Sequence, residues 1–164
     1  EKGLHYLLEA FRSLHTGKKL VIAGGDSHSG GYYEEMCQKA DEDARTVRTG
    51  FVRGAEKDEL FTNAALYVLP SDLEGMPISL LEAMSYGTPC LVSDIPENTQ
   101  LLEKFGASFA HGDPAALAEA LNRALQAPPP AGEAQAEYIR QNYSWEKNAR
   151  DTLALYQRAA ARRR

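Results

Sequence analysis

The sequence predicts an α/β protein built on a Rossmann-like, doubly wound parallel sheet. Three observations carry this. Short runs that are apolar throughout, such as residues 20–23 and 65–69, alternate with segments of helical periodicity. A strand with no polar side needs cover on both faces, which helices on either side of a parallel sheet provide. Four of these runs end in polar, Gly- or Pro-rich sequence, at the strand ends where such sheets bind ligands.

The elements follow in order. Leu4, Leu7, Leu8, Phe11 and Leu14 recur at helical spacing, so residues 3–15 read as an amphipathic helix that includes His5 and His15. Residues 20–23 are a buried strand running into Gly24-Gly25. A helix over 30–41, a strand over 47–52 and a short helix over 56–63 come next. The apolar strand 65–69 is stopped by Pro70-Ser71, and a helix over 78–86 ends at Gly87, a residue suited to a C-terminal cap. A strand at 89–93, a helix at 97–104 and a short edge strand at 107–109 follow. Asp113-Pro114 reads as N-cap and first helical residue of a helix reaching about Gln126. Pro128-Pro129-Pro130 interrupts the chain before helices at 133–142 and 145–161. Crossovers are expected to be right-handed. The reading is one Rossmann-like domain over 1–130 and a C-terminal helical extension over 131–164.

Composition narrows the function classes. The 164 residues carry a formal net charge of −5, which argues against a general nucleic-acid binder. No apolar run approaches the ~20 residues of a membrane span, and no charged-then-apolar leader opens the chain. Cys37 and Cys90 lie far apart with no metal spacing and read as reduced structural thiols of a cytoplasmic protein. The basic end, Arg158 and Arg162-Arg163-Arg164, reads either as a solvated helix end or as a contact for an acidic partner or the inner membrane face. The chain lacks an initial Met and opens almost in a helix, as a fragment would.

Candidate chemistry sits in the loops after the strands. These are Gly24-Gly25-Asp26, Val52-Arg53-Gly54, the segment 70–77 and Asp94-Ile95-Pro96-Glu97-Asn98. The third is the most informative. Glu74 precedes a helix that begins near Pro77-Ile78, and Glu82 lies in its early turns. A helix N-terminus offers unpaired N–H groups and the positive end of a dipole, a site for a diphosphate. Gly75 and Pro77 suit a tight turn that brings backbone to a ligand. Flanking carboxylates would repel phosphate but accept hydrogen bonds from hydroxyls. A ligand with an anionic middle and polyhydroxyl ends, such as a nucleotide-sugar, fits. On spacing alone the plainer alternative also stands, because acids are common near helix starts. His28 reads as an exposed turn residue, His111 as a loop residue without a catalytic partner, and Trp145 as the start of the last helix, packed locally or, as the resemblance described next implies, crossing back to support a second domain.

Over Lys19 to Asp113 the sequence resembles the group 1 (family 4) glycosyltransferases of the GT-B fold. The resemblance rests on Leu20-Val21-Ile22-Ala23-Gly24-Gly25, Thr49-Gly50-Phe51-Val52, Ala65-Leu66-Tyr67-Val68-Leu69-Pro70-Ser71 and Gly87-Thr88-Pro89-Cys90-Leu91-Val92-Ser93-Asp94. Its centre is Glu74-Gly75-Met76-Pro77-Ile78-Ser79-Leu80-Leu81-Glu82, matching that family's Glu-x7-Glu motif. Lys2-Gly3-Leu4 resembles its Lys-Gly entry to a first helix. The resemblance implies the donor-binding C-terminal half of a retaining enzyme. Glu74 would then accept hydroxyls of the donor sugar, and Glu82 those of the ribose. Gly75, Met76, Pro77 and Ile78 would line the diphosphate and sugar. Val52 would meet the nucleobase, with Lys57 as another base contact. Lys2 would offset charge developing on the leaving diphosphate. The implied donor is a nucleotide-sugar, UDP by default, with no metal or other cofactor.

The resemblance also implies missing parts: a first strand, an Arg ahead of Lys2, and the whole N-terminal acceptor domain. A lone donor half cannot orient an acceptor, so the fragment is expected to bind donor without transferring sugar. A GT-B sugar-nucleotide epimerase and a non-enzymatic nucleotide- or sugar-binding module are the alternatives. A dinucleotide oxidoreductase is disfavoured because no Gly-x-Gly-x-x-Gly follows a strand.

Overall fold

A computed structural model describes residues 1–25 and 30–162. Asp26 and His28 in the first loop, and Arg163 and Arg164 in the basic end, lie outside the described residues. The order is α1 (Leu4–Arg12), β1 (Leu20–Ala23), α2 (Gly31–Asp41), β2 (Thr46–Gly50), α3 (Ala55–Asn63), β3 (Tyr67–Leu69) and α4 (Ile78–Ser85). Then come β4 (Cys90–Ser93), α5 (Pro96–Leu102), β5 (Ala107–Phe109), α6 (Pro114–Gln126), α7 (Glu133–Tyr143) and α8 (Trp145–Ala161). The α/β class holds. Two boundaries moved in ways that matter. α1 stops at Arg12, which leaves His15 in the following loop, although Leu14 stays buried. β2 stops at Gly50, which puts Val52 in the loop and not in the strand.

Every strand pair is parallel, but the sheet is in two pieces. β1 pairs with β2, and β4 lies between β3 and β5. Among the described residues, β1 and β3 each keep one edge without a strand. The expectation of complete burial holds for β4, all of whose residues are buried, and fails for β1, where Val21 is 41% exposed. The difference is cover. Leu91 of β4 packs with α1 and α6 through Leu7, Phe11, Leu117 and Leu121. Cys90 and Val92, on the opposite face, pack with Leu80, Met84 and Ile139 of α4 and α7. The two-residue alternation of the strand therefore serves two separate apolar layers.

α1 ties the two sheet pieces together. Its Leu7, Ala10 and Phe11 share a cluster with β4 and α6, while Leu8 packs on Met36 and Ala40 of α2 with Ile22 of β1. Arg45 secures its far end: the guanidinium donates to the carbonyls of Leu14 and Phe11 and lies over the Phe11 ring, 4.6 Å from its centroid.

Packing continues past residue 130. Gln135 of α7 is fully buried and donates from Nε2 to the Thr88 carbonyl at 3.1 Å. The proline segment is pinned too, since Gly106 N–H donates to the Pro130 carbonyl. α8 has no buried residue, as α3 has none, and Trp145 is 80% exposed, so its local core-packing reading does not hold. No helix among the described residues is long and apolar enough to cross a membrane.

Candidate functional site

The site begins where β3 ends. Gly3 crosses the end of that strand so closely that a Cβ on it would sit 1.9 Å from the Pro70 carbonyl oxygen. Its φ of 65° is also one that side chains disfavour. The Asp72 N–H donates to the Glu1 carbonyl at 2.7 Å. Together these contacts hold the start of the chain over the loop 70–77. Lys2 Nζ consequently reaches both carboxylate oxygens of Glu74, at 3.0 Å and 3.0 Å. The Glu74 side chain is only 9% exposed, against 59% for Lys2. Ser71 donates its hydroxyl to Glu74 Oε1 at 2.6 Å.

A second cation–acid pair stands at α4. Lys57, from α3, donates to Glu82 Oε1 at 2.7 Å, and both side chains are about one-third exposed, 34% and 37%. Between Glu74 and Glu82 along the chain lies the N-terminus of α4, capped by the Pro77 backbone with no side-chain cap and no acid in the first turn. Leu80 and Leu81 N–H bond back to the Pro77 carbonyl. The N–H groups of Ile78 and Ser79 have no partner among the described residues. Gly75, Met76 and Ile78 are exposed, so this helix tip opens to solvent, while Pro77 is buried and anchors it. Unpaired N–H groups at the positive end of a helix favour an anion. Tyr67 of β3 braces the same turn by donating to Ser79 Oγ at 2.8 Å, and burial pushes its phenol well above the ordinary value.

Val52 is half-buried on the neighbouring loop, and among the described residues no hydrogen bond joins it to either pair. Beside it Phe51 is 72% exposed, with its ring against Gly25: a Cβ on Gly25 would lie 2.7 Å from the Phe51 ring. In the sequence Phe51 is marked as an aromatic residue in a strand-end loop, within the run Thr49-Gly50-Phe51-Val52. His111 lies in a loop, as its sequence context predicts. The structure pairs it with Asp94, whose Oδ1 accepts from the His111 backbone N–H at 2.9 Å and lies 2.7 Å from ring Nδ1. That backbone bond, then the ring, holds the Asp94 carboxyl below its ordinary range. A separate cleft of about 220 Å³, lined by Ile22, Gly24, Met36, Cys37, Arg48 and Gly50 among others, includes Gly24 of the first candidate loop but none of Lys2, Val52, Lys57, Glu74 and Glu82. Among the described residues, no group of three or more His, Cys, Asp or Glu is gathered as a metal cage would require.

Comparison with known proteins bears on this arrangement. Residues 1–145 match the family model described as glycosyl transferases group 1. An uncharacterised glycosyltransferase of Methanocaldococcus jannaschii is 29% identical over 95% of this chain and 42% of its own length. The alpha-maltose-1-phosphate synthase of Mycolicibacterium smegmatis is 30% identical over 98% of this chain and 46% of its own length. The chain thus spans less than half of the curated relatives it matches. Among solved structures, sucrose-phosphate synthase of Thermosynechococcus elongatus superposes with a TM-score of 0.84 at 24% identity, covering 98% of this chain and 43% of that one. Anabaena HepE in complex with UDP-glucose superposes at 0.80 and 20% identity, covering 93% and 45%. At these identities the superpositions speak to the fold, and the family follows from the match along most of the sequence: this chain belongs to the group 1 glycosyltransferases, with the GT-B domain fold.

Proposed function

We propose that this chain is the donor-binding half of a retaining glycosyltransferase that takes a hexosyl group from a nucleoside diphosphate sugar. One observation carries the reading: an open, uncapped helix N-terminus with a Lys–Glu pair on either side of it in the chain, Lys2–Glu74 and Lys57–Glu82. In this reading the N–H groups at the start of α4, with the backbone of Gly75 to Ile78, receive the diphosphate. Lys2 leaves Glu74 and turns to the phosphate oxygens, where its charge offsets the negative charge that develops as the nucleotide departs. Glu74, released from Lys2, accepts hydroxyls of the sugar. Glu82 accepts those of the ribose, Val52 lies against the base, and Lys57 contributes a further base contact. UDP is the favoured nucleotide, supported by the UDP-glucose bound to the structurally similar HepE. The reading calls on no metal or other cofactor.

Glu74 is a hydroxyl acceptor here and not a nucleophile, so the anomeric configuration is retained through departure and attack on one face of the sugar. The acceptor is oriented by a domain outside this chain, so the chain alone binds donor and does not transfer sugar. The same reading expects a parallel strand ahead of α1. The open edges of β1 and β3, with α1 packed on both sheet pieces, support a place for it between them.

Titration of this chain with UDP-, GDP- and ADP-sugars tests the assignment. Binding of one class, weakened in Glu82→Ala, supports it, and equal binding by that variant and the parent removes the site. A full-length protein that binds a donor yet neither transfers nor hydrolyses it is a binding module instead.

A further inference from the structure

We propose that Ser71, Ser93 and Asn98 form a buried positioning network that aims the Glu74 carboxylate at the donor sugar, an inference that rests on the donor-binding reading above. The three come from separate places: the loop after β3, the end of β4 and the first turn of α5. All three are fully buried. Asn98 Nδ2 donates to Ser93 Oγ at 2.9 Å, the Ser93 hydroxyl donates to the Ser71 carbonyl, and the Ser71 hydroxyl donates to Glu74 Oε1 at 2.6 Å.

The direction of this chain of bonds is determined by proton count. A serine hydroxyl carries one proton. Ser93 gives its proton to a carbonyl, which can only accept, so its oxygen is left to receive the Asn98 amide. Ser71 gives its proton to a carboxylate. The arm from Asn98 through Ser93 ends on the Ser71 backbone carbonyl and fixes that residue in place, and the hydroxyl of the residue so fixed serves Glu74. Asn98 Oδ1 has no hydrogen-bond partner among the described residues. A side chain needed only for packing would avoid that penalty by being apolar.

The network also outlasts donor binding. An ionised carboxylate offers about four acceptor positions. Lys2 reaches both oxygens and Ser71 reaches Oε1 alone. When Lys2 turns to the diphosphate, Ser71 still holds Oε1, and Oε2 faces the sugar with its acceptor positions free. Without Ser71 the carboxylate would lose, at the moment it is needed, the one fixed anchor it has among the described residues.

The test uses the full-length protein and calorimetric titration with three pairs: UDP and UDP-glucose, GDP and GDP-mannose, ADP and ADP-glucose. The pair that wild type binds best is carried forward. Ser71→Ala loses about tenfold in affinity for the nucleotide-sugar and less than about twofold for the nucleoside diphosphate alone. The double variant Ser71→Ala/Glu74→Ala binds no more weakly than Glu74→Ala, since both act through one carboxylate. Ser93→Ala leaves every group that touches Glu74 in place and shows the same sugar-only pattern at about threefold, deciding the matter should Ser71→Ala fail to fold. A loss shared equally by nucleotide and nucleotide-sugar, or additive losses in the double variant, overturns the network. Wild-type-like binding by Ser71→Ala and Ser93→Ala, with Glu74→Ala impaired, overturns it and leaves the donor reading standing. No binding of any pair by wild type overturns both.

Discussion

In the proposed reading Glu82, half-buried and paired with Lys57 at 2.7 Å, is the acceptor of the ribose hydroxyls. Its loss should weaken binding of the nucleotide portion by about tenfold, the value of one good hydrogen-bonded contact, measured by titrating Glu82→Ala with UDP and with UDP-glucose; both should weaken together. Away from the site, Asp43 makes a second residue-scale prediction. Hydrogen bonds from the Arg45 side chain and backbone hold its carboxyl at about 2. The unfolded carboxyl titrates near ~3.9. The folded form therefore resists protonation, and the pair stabilises the protein above about pH 4 and ceases to do so as pH falls toward 2. Asp43→Asn should melt at a lower temperature at neutral pH and show a flatter pH dependence between about 4 and 2, read by thermal melts across that range.

Elements depend on close backbone passages. Gly87 follows α4 at a φ of 71°, and a Cβ there would lie 2.9 Å from the Gly132 Cα. Backbone does not yield as a side chain does, so Gly87→Ala combines a left-handed penalty with a clash and should cost about 2 kcal/mol or more, measured by denaturant unfolding. The opposite expectation holds at the other end. α8 buries no residue, so stopping the chain at Ser144 should shift the melting temperature by less than about 2 °C. A larger fall would show that α8 supports the body.

At the scale of the molecule, the two-piece sheet and the share of the relatives' length lead to one expectation. This chain alone should bind a nucleotide-sugar and leave it intact, with neither transfer nor hydrolysis detected by release of free nucleotide. An upstream extension that supplies a parallel strand should raise the melting temperature by closing the edges of β1 and β3 with backbone hydrogen bonds. Release of nucleotide by the isolated chain would show that more of the reacting machinery lies in this half than the reading allows.

Local order was legible in the residues themselves. α6 runs from Pro114 to Gln126 behind an Asp113 cap that accepts the Ala116 N–H, as the cap chemistry predicts, and β1 and β5 lie where apolar runs placed them. The spacing of Glu74 and Glu82 is visible in the sequence because it lies along one loop and helix. Folding alone decided that Lys2 lies on Glu74 across 72 residues, that His111 meets Asp94, that α7 enters the core, and that β1 remains half exposed. Periodicity and caps act over four or five neighbours, whereas these contacts depend on how whole elements stack. That stacking is a sum over many weak apolar contacts that no short stretch of residues contains.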